Sequence, residues 1–451
     1  MKVIIWHNLA GLELWRNNLA YNNRMNIPSS REEILEIQRV QKKLALQRAR
    51  KAKFHRGRLD HINEDKIDHL DEWHKIPLLT KDELRGIPPE RFFSDFCHAP
   101  HNEIAELWRS GGSTGIPLFY PRTFEDLPYC ILSFARNLIA PNLGEKDTAQ
   151  VSFPLGIHPV GHVYARACQQ ENIGVNWAGA GNSTPSSIQI DLINRLQPSV
   201  WMGMSSYGIH LANMAEDQGI DLAGSSVETI ITSAEPMSDT KRNKISRMWG
   251  AEVWDGFGMT ECGMMGGESR ARDGFHIWTD LFHIEVLDLD TGLPVAEGEE
   301  GGLVVTPLFT NHATPFIRWS SGDIVTYKEF GDDSDGPYSV FPVVKHAQRT
   351  VGFFKVRGVN INHPELEDFL FDYEDLVDFK AEVISENDLD VLRLSIEVLH
   401  SGDPNELSKN IIIDTKNKFE ITPSVVILKR GTLATEFESS VKAPRFVDRR
   451  N

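Results

Sequence analysis

Residues 227–261 read VETIITSAEPMSDTKRNKISRMWGAEVWDGFGMTE, and the architecture is decided there. Val227–Thr232 is a short, β-branched run that suits a buried strand. Thr240–Trp249 has helical spacing and is stopped by Gly250, a residue suited to a helix end. Ala251–Trp254 predicts another strand. Upstream, Ser187–Leu196 reads as a helix and Ser199–Gly203 as a short strand. Alternation of this kind from 150 to 260 predicts parallel strands joined by crossover helices. Ser233-Ala234-Glu235-Pro236 and Phe257-Gly258-Met259-Thr260-Glu261 then fall directly after strands, where open α/β sheets bind ligands.

Working outward, residues 30–54 predict a helix. Ser30 and Glu33 make a capping box, Ile37, Val40 and Leu44 share a face, and Arg48, Arg50, Lys51 and Lys53 suit the negative end. From about 283 the pattern changes to antiparallel hairpins. His283–Leu287 and Gly302–Pro307 read as strands, with Asp290, Thr291 and Gly292 marking a turn. Residues 330–337, FGDDSDGP, predict a polar loop. After about 350 a smaller unit begins, with a βα pattern at 353–372, alternation near 390–398 and a polar tail. The expected division is a large domain over 1–347 and a small one over 348–451.

A chain of 451 residues exceeds one ordinary core. The composition, 41% hydrophobic and 25% charged, is that of a globular protein. A formal net charge of −17 argues against a general nucleic-acid or anionic-membrane binder. Cys97, Cys130, Cys168 and Cys262 form no CxxC pair, so reduced thiols in the cytoplasm are expected. The opening MKVIIWHNLAGLELW lacks a signal-peptide core, and no stretch has the roughly 18 apolar residues of a membrane helix.

Four further segments carry chemistry. Ser110-Gly111-Gly112-Ser113-Thr114-Gly115 offers amides and hydroxyls to phosphate oxygens, and with Ile116 in place of a lysine it is not a Walker A loop. Arg318-Trp319-Ser320-Ser321-Gly322-Asp323 places a carboxylate where ribose hydroxyls could be held. Lys355-Val356-Arg357-Gly358-Val359-Asn360 precedes a helix starting near Pro364, and Lys442 stands near the end. Alone, each reads as readily as a turn or a solvated tail residue. Phe257 could stack on a base, and Glu261 could hold Mg²⁺ against phosphate oxygens.

In this order the segments resemble the adenylate-forming superfamily, and within it the phenylacetate–coenzyme A ligase family. SGGSTGIP is similar to its phosphate loop, SAEP to its Gly-Ala-Glu-Pro segment, and FGMTE to its Tyr-Gly-x-Ser/Thr-Glu. Residues 273–308 follow its stretch leading to Arg-x-x-x-Gly-Asp, RGVNINHPELED resembles its Arg-Gly-Val-Asn loop, and IPLLTKDELRG at 76–86 resembles its opening. The resemblance spans roughly residues 30–451. It implies an α/β fold: a large domain of parallel α/β-layered sheets with antiparallel hairpins, plus a small mobile α+β domain. The implied activity is AMP-forming acid–coenzyme A ligation with ATP, Mg²⁺ and coenzyme A, on an aryl-acetic or other cyclic acid.

By position the resemblance implies that Ser110, Gly111, Gly112, Ser113, Thr114 and Gly115 hold the β- and γ-phosphates. Ser233, Ala234, Glu235 and Pro236 would frame adenine with Phe257 and Gly258. Thr260 would contact the α-phosphate, Glu261 would ligate Mg²⁺, Asp323 would bind ribose, and Arg349 would assist with ribose or phosphate. Lys442 would be the catalytic lysine, while Lys355, Arg357 and Gly358 would face coenzyme A after the small domain rotates. Phe153, Ile157, His158, Tyr207 and Met259 would line the acid site. His158 and His162 lie four apart, but Pro159 and Gly161 make a regular helix there unexpected.

Departures are Ile116 for the usual lysine and Val351 for the usual hinge aspartate. Cys262 and His276, with Ser269 between, are too few ligands for a structural zinc site, and none is expected. The competing readings are an acyl-adenylating transferase that loads a carrier protein or other acceptor, and a non-catalytic nucleotide-binding protein on the same scaffold. Homodimers are common among similar proteins.

Overall fold

The computed structural model describes residues 27–109, 119–334, 336–349, 353–357, 359–386, 389–439 and 444–450. Two compact units emerge: Met1–Asn142 with Gly256–Ala347, and Leu143–Asp255 with Gln348–Asn451.

The first unit opens with the helix Arg31–Lys51, capped by the Ser30 hydroxyl, which accepts from the Glu33 amide at 3.3 Å. The reciprocal half of the expected box lies one residue earlier: the Glu33 carboxylate accepts from the Ser29 amide and hydroxyl at 2.7 and 2.8 Å. Its buried stripe is Ile34, Ile37, Gln41, Lys42, Ala45, Leu46 and Ala49, so Val40 and Leu44 are only half-buried. Packing of Leu46 and Ala49 against Leu59, Ile62, Trp73 and Ile317 sets that seam. Lys42 follows it inward, its ammonium 4.7 Å from the Trp73 ring centre.

The expected hairpins are present. Phe282–Leu287 pairs antiparallel with Glu300–Pro307, which pairs in turn with Trp319–Lys328. The Asp288 carboxylate closes the first turn by accepting from the Asp290 and Thr291 amides and the Thr291 hydroxyl, and Gly292 takes a φ of +69°. A buried Arg136–Asp280 pair, joined by two bonds of 2.7 and 2.6 Å, ties the short 3₁₀ helix Arg136–Leu138 to the segment just before the strand Phe282–Leu287.

In the second unit the strands Thr148–Val151, Gly174–Trp177, Val200–Met202 and Thr229–Ser233 pair in parallel. Helices Pro159–Gln170, Ser186–Leu196 and Ser205–Asp217 connect them. The next helix, Asp239–Trp249, stops at Gly250 with φ +62°. A regular helix does form through His162, because Pro159 occupies its first position, where the missing amide has no bond to lose. Gly161 fits because a Cβ there would come within 2.7 Å of the Pro154 carbonyl.

The carboxyl-terminal part has a hairpin, Phe353–Val356 with Val359–Asn362, and the helix His363–Phe371. A four-stranded sheet follows, ordered Ser424–Leu428, Leu389–Val398, Leu376–Glu386, Phe446–Asp448. The expected polar tail is therefore structured, including the helix Pro404–Phe419. Its Leu407, Ile411, Thr415 and Phe419 recur every fourth residue on the buried face, a sparse repeat that surrounding polar residues conceal. All four cysteines are free and buried. Among the described residues, no helix is long and apolar enough to cross a membrane.

Candidate active site

In the first unit, the segment Phe257–Met259 is strand rather than loop. Strand Glu252–Met259 continues beyond Trp254 and pairs antiparallel with Gly263–Glu268 from Gly256 to Met259. The loop thus narrows to Thr260, Glu261 and Cys262. Glycine makes this possible: a Cβ on Gly258 would meet the Gly263 carbonyl at 2.5 Å and the Met264 Cα at 2.9 Å. Gly263 itself has a φ of +104°. Phe257 is buried and stacked on Phe275, with centroids 5.3 Å apart.

The Thr260–Glu261 turn is held through its backbone. Arg122 Nη2 donates to the Thr260 and Glu261 carbonyls at 3.0 and 2.8 Å, and Asn311 Nδ2 donates to the Glu261 carbonyl at 2.7 Å. The side chains of Met259, Thr260 and Glu261 stay half-buried. Burial pushes the Tyr120 phenol well up, and the Glu261 carboxylate that it hydrogen-bonds adds to the shift. A carboxylate and a hydroxyl on adjacent positions of a pinned turn are oxygen donors of the kind Mg²⁺ uses when it is shared with nucleotide phosphates. The donor set fits the ion.

Asp323, expected on a tight turn, sits inside the strand Trp319–Lys328. The strand is irregular there: its register with Glu300–Pro307 shifts near Gly302, Gly322 has φ +81°, and Arg318 just before it has φ +48°. Asp323 is buried, and its amide donates to Ser321 Oγ at 3.0 Å. Arg318 is fully engaged within the protein. Its guanidinium makes two bonds to Glu285 at 3.0 and 2.9 Å and two more to the His74 and Ile76 carbonyls.

Ser110, Gly111, Gly112, Ser113, Thr114, Gly115 and Ile116 lie outside the described residues, as do Val351, Gly358 and Lys442. Arg109 pairs with Phe119 where the strands Ile104–Arg109 and Phe119–Thr123 run antiparallel.

In the second unit, Ser233 ends its strand and Ala234 takes a φ of +71°, a left-handed conformation that alanine adopts at a cost of about 1 kcal/mol. That twist turns Glu235 onto the first turn of the helix Ser205–Asp217. Its carboxylate accepts from Ser205 Oγ at 2.7 Å, Ser206 N at 2.8 Å and Ser206 Oγ at 2.6 Å. Burial raises its pKa, but Lys241, Ser206 and Arg445 outweigh that and hold it down to about 2. Lys241 lies 3.8 Å from Glu235 and 3.3 Å from Glu367, and Arg445 reaches Glu367 at 3.5 Å and Asp378 at 2.9 Å. Glu235 is therefore an internal anchor, while Ala234 and Pro236 are exposed.

Phe153 is buried and stacked on Tyr164 at 5.1 Å. Tyr207 is also buried, its hydroxyl 2.9 Å from Ser186 Oγ, which lies 3.1 Å from His210 Nε2. Ile157 is half exposed, and His158 occupies the position before the helix that follows without a side-chain capping bond. His162 bonds back to Gly156. Lys355 and Arg357 are exposed on the Phe353–Asn362 hairpin, and Arg357 Nε donates to the Asp390 carbonyl at 2.8 Å. Arg349 ends the strand Val343–Arg349.

The structure gathers Phe257, Gly258, Met259, Thr260 and Glu261 on one hairpin, and Ser233–Pro236 on one loop. Sequence reasoning missed Arg122, Asn311, Ser205, Ser206 and Lys241, which position these segments. Of these only Arg122 carried any signal, its place just after the glycine-rich loop.

A family model described as AMP-binding enzyme matches residues 41–307. The phenylacetate-coenzyme A ligase of Aromatoleum evansii is 26% identical over 400 residues, covering 86% of this chain and 88% of the relative. That of Thermus thermophilus is 28% identical over 383 residues, covering 82% of each. Among solved structures, a 2-hydroxyisobutyryl-CoA ligase in complex with 2-HIB-AMP aligns with a TM-score of 0.80 at 21% identity, over 93% of this chain and 89% of that one. An anthranilate CoA ligase in complex with anthranoyl-AMP gives 0.53 at 16% identity, over 80% and 72%. The structural likeness establishes a mixed α/β fold shared with these ligases. With a family model covering well over half of its length, the chain belongs to the AMP-binding enzyme family.

Proposed function

We propose that this protein is an AMP-forming acid–coenzyme A ligase acting on an aryl-acetic or other cyclic carboxylic acid. The observation that carries the reading is the Thr260–Glu261 turn, whose backbone is fixed by Arg122 and Asn311 while both residues stay only half-buried. Similarity to phenylacetate-coenzyme A ligases over 82–86% of the chain supports the acid class and the thiol acceptor.

In the first half-reaction a carboxylate oxygen attacks the α-phosphorus of ATP. The new oxygen–phosphorus bond forms as the bond to the β-phosphate bridging oxygen breaks, and pyrophosphate leaves with that electron pair. The barrier is electrostatic, since two anions approach each other. Thr260 would bind the α-phosphate and Lys442 would bridge it to the acid. Glu261 would hold Mg²⁺, which when bound neutralises phosphate charge. Asp323 would take the ribose hydroxyls, Ala234 and Pro236 would border adenine, and Ser110–Gly115 would hold the departing phosphates. In the second half-reaction the coenzyme A sulfur attacks the acyl carbon, its proton goes to solvent, and AMP leaves.

On this reading residues 1–347 bind ATP and acid, and 348–451 supply Lys442 and the coenzyme A-facing Lys355, Arg357 and Gly358. The acidic composition and free buried thiols support a cytoplasmic setting, where ATP and coenzyme A are supplied. The test is incubation with ATP, Mg²⁺ and a panel of aryl-acetic, aryl-propionic and alicyclic acids, with and without coenzyme A, and products identified by mass. Thioester with AMP is expected. Adenylate that never becomes thioester would point to another acceptor, and absence of pyrophosphate with every acid would remove the reading.

A further inference from the structure

Arg122 is a buried cation whose bonding is unusual. Buried guanidinium groups are ordinarily compensated by carboxylates. The Asp126 carboxylate supplies that compensation electrostatically, while the guanidinium's hydrogen bonds to oxygen run to carbonyls and a hydroxyl: Thr260 and Glu261 from Nη2, Pro121 and Thr314 Oγ1 from Nη1. The guanidinium also lies 4.3 Å from the centre of the Trp108 ring. One nitrogen therefore pins two successive peptide planes of the same turn, so neither can rotate without stranding a buried donor. Asn311 holds the second carbonyl independently at 2.7 Å and is itself braced on Thr314 Oγ1 at 3.2 Å.

The source of this clamp is informative. Arg122 and Tyr120 stand two apart, hence on one face of the strand Phe119–Thr123, which directly follows residues 110–118. Arg122 takes the carbonyl side of the turn and Tyr120 the Glu261 carboxylate side. Thr123 fixes the strand end, its amide and hydroxyl donating to Asp126 at 2.7 and 2.9 Å.

We propose that Arg122 is a positioning residue for the nucleotide–metal site, fixing the Thr260–Glu261 backbone so that the hydroxyl and carboxylate meet Mg²⁺-bound nucleotide in one orientation. The inference rests on the ligase reading above and adds a residue that touches neither substrate nor metal. Groups that orient a metal-binding carboxylate typically change metal affinity or activity by about 10- to 100-fold when altered.

The test measures binding of α,β-methylene-ATP by calorimetry with and without Mg²⁺, alongside steady-state kinetics and thermal melts. Arg122→Lys keeps the charge but cannot span both carbonyls in the same way. It is expected to lower the Mg²⁺-dependent gain in affinity by about tenfold or more and kcat by about 10- to 100-fold. Mg²⁺-free affinity and the KM for the acid should stay within about threefold, as the nucleotide and acid contacts are untouched. Asn311→Ala, which removes the second donor, should show the same signature more weakly. An undiminished Mg²⁺ gain in Arg122→Lys, or equal loss of affinity with and without Mg²⁺, would overturn the proposal. Should Arg122→Lys fail to fold, Asn311→Ala decides, and an undiminished Mg²⁺ gain there overturns it. Wild-type protein that binds no nucleotide at all would instead overturn the ligase reading.

Discussion

Replacing Glu235 by glutamine keeps the shape of the side chain and removes the charge that the Ser205–Asp217 helix and Lys241 are arranged to receive. The carboxyl falls from an ordinary 4.5 to about 2, against the opposing effect of burial, because Lys241, Ser206 and Arg445 favour the anion. At about 1.4 kcal/mol per unit that drop amounts to roughly 3 kcal/mol, an upper bound. The side chain is 21% exposed, so solvent screening reduces the expected loss to roughly 2 kcal/mol at pH 7. The sign follows from linkage. A carboxyl whose folded pKa is depressed contributes its full stability above 4.5 and loses it as pH falls toward about 2. Urea unfolding of wild type and Glu235→Gln at pH 7, 5 and 3 should give a gap of roughly 2 kcal/mol at the two higher values and under half of it near pH 3. A gap below roughly 0.5 kcal/mol at pH 7, or one unchanged at pH 3, would refute the assignment of Glu235 as an ionised anchor.

Other perturbations probe different parts of the molecule. Lys42→Met should stabilise by about 1–2 kcal/mol at pH 7, since desolvation of the ammonium outweighs its cation–π contact with Trp73. Lys42 titrates at about 8 when folded and 10.5 when free, so that advantage should shrink between those values; urea midpoints at pH 7 and 10 check it. Gly258→Val should abolish pyrophosphate release, because its side chain would strike the Gly263 carbonyl and open the hairpin; wild-type turnover would discount the close approach. Lys442→Ala should remove adenylate formation while leaving ATP affinity within about threefold, measured by product mass and calorimetry.

The strand–helix alternation of 150–260 was legible because apolar runs, helical spacing and Gly250 agree with one another at every level. The hairpins after 283 were equally clear from Asp290, Thr291 and Gly292. What the sequence concealed had physical reasons. Phe257–Met259 looked like loop because Gly256, Gly258 and Gly263 have low strand propensity, yet the close approach at Gly258 leaves no room for a Cβ and Gly263 takes a φ of +104°. The helix Pro404–Phe419 was lost among polar neighbours, since one apolar residue per turn suffices to seat it. Chain order could not show that Ser205 and Ser206, some 30 positions away, claim the Glu235 carboxylate. Arg122 was missed for the same reason: its place after the glycine-rich loop hinted at the site, but chain order cannot show that it reaches the Thr260 and Glu261 carbonyls.

Attack by the carboxylate on the α-phosphorus is tested most directly by tracing oxygen. With oxygen-18 in both carboxylate positions of phenylacetate, and with ATP, Mg²⁺ and coenzyme A present, the AMP formed is predicted to carry one labelled oxygen while pyrophosphate carries none. Unlabelled AMP, or label in orthophosphate alongside ADP, would contradict adenylate formation as the step this protein performs.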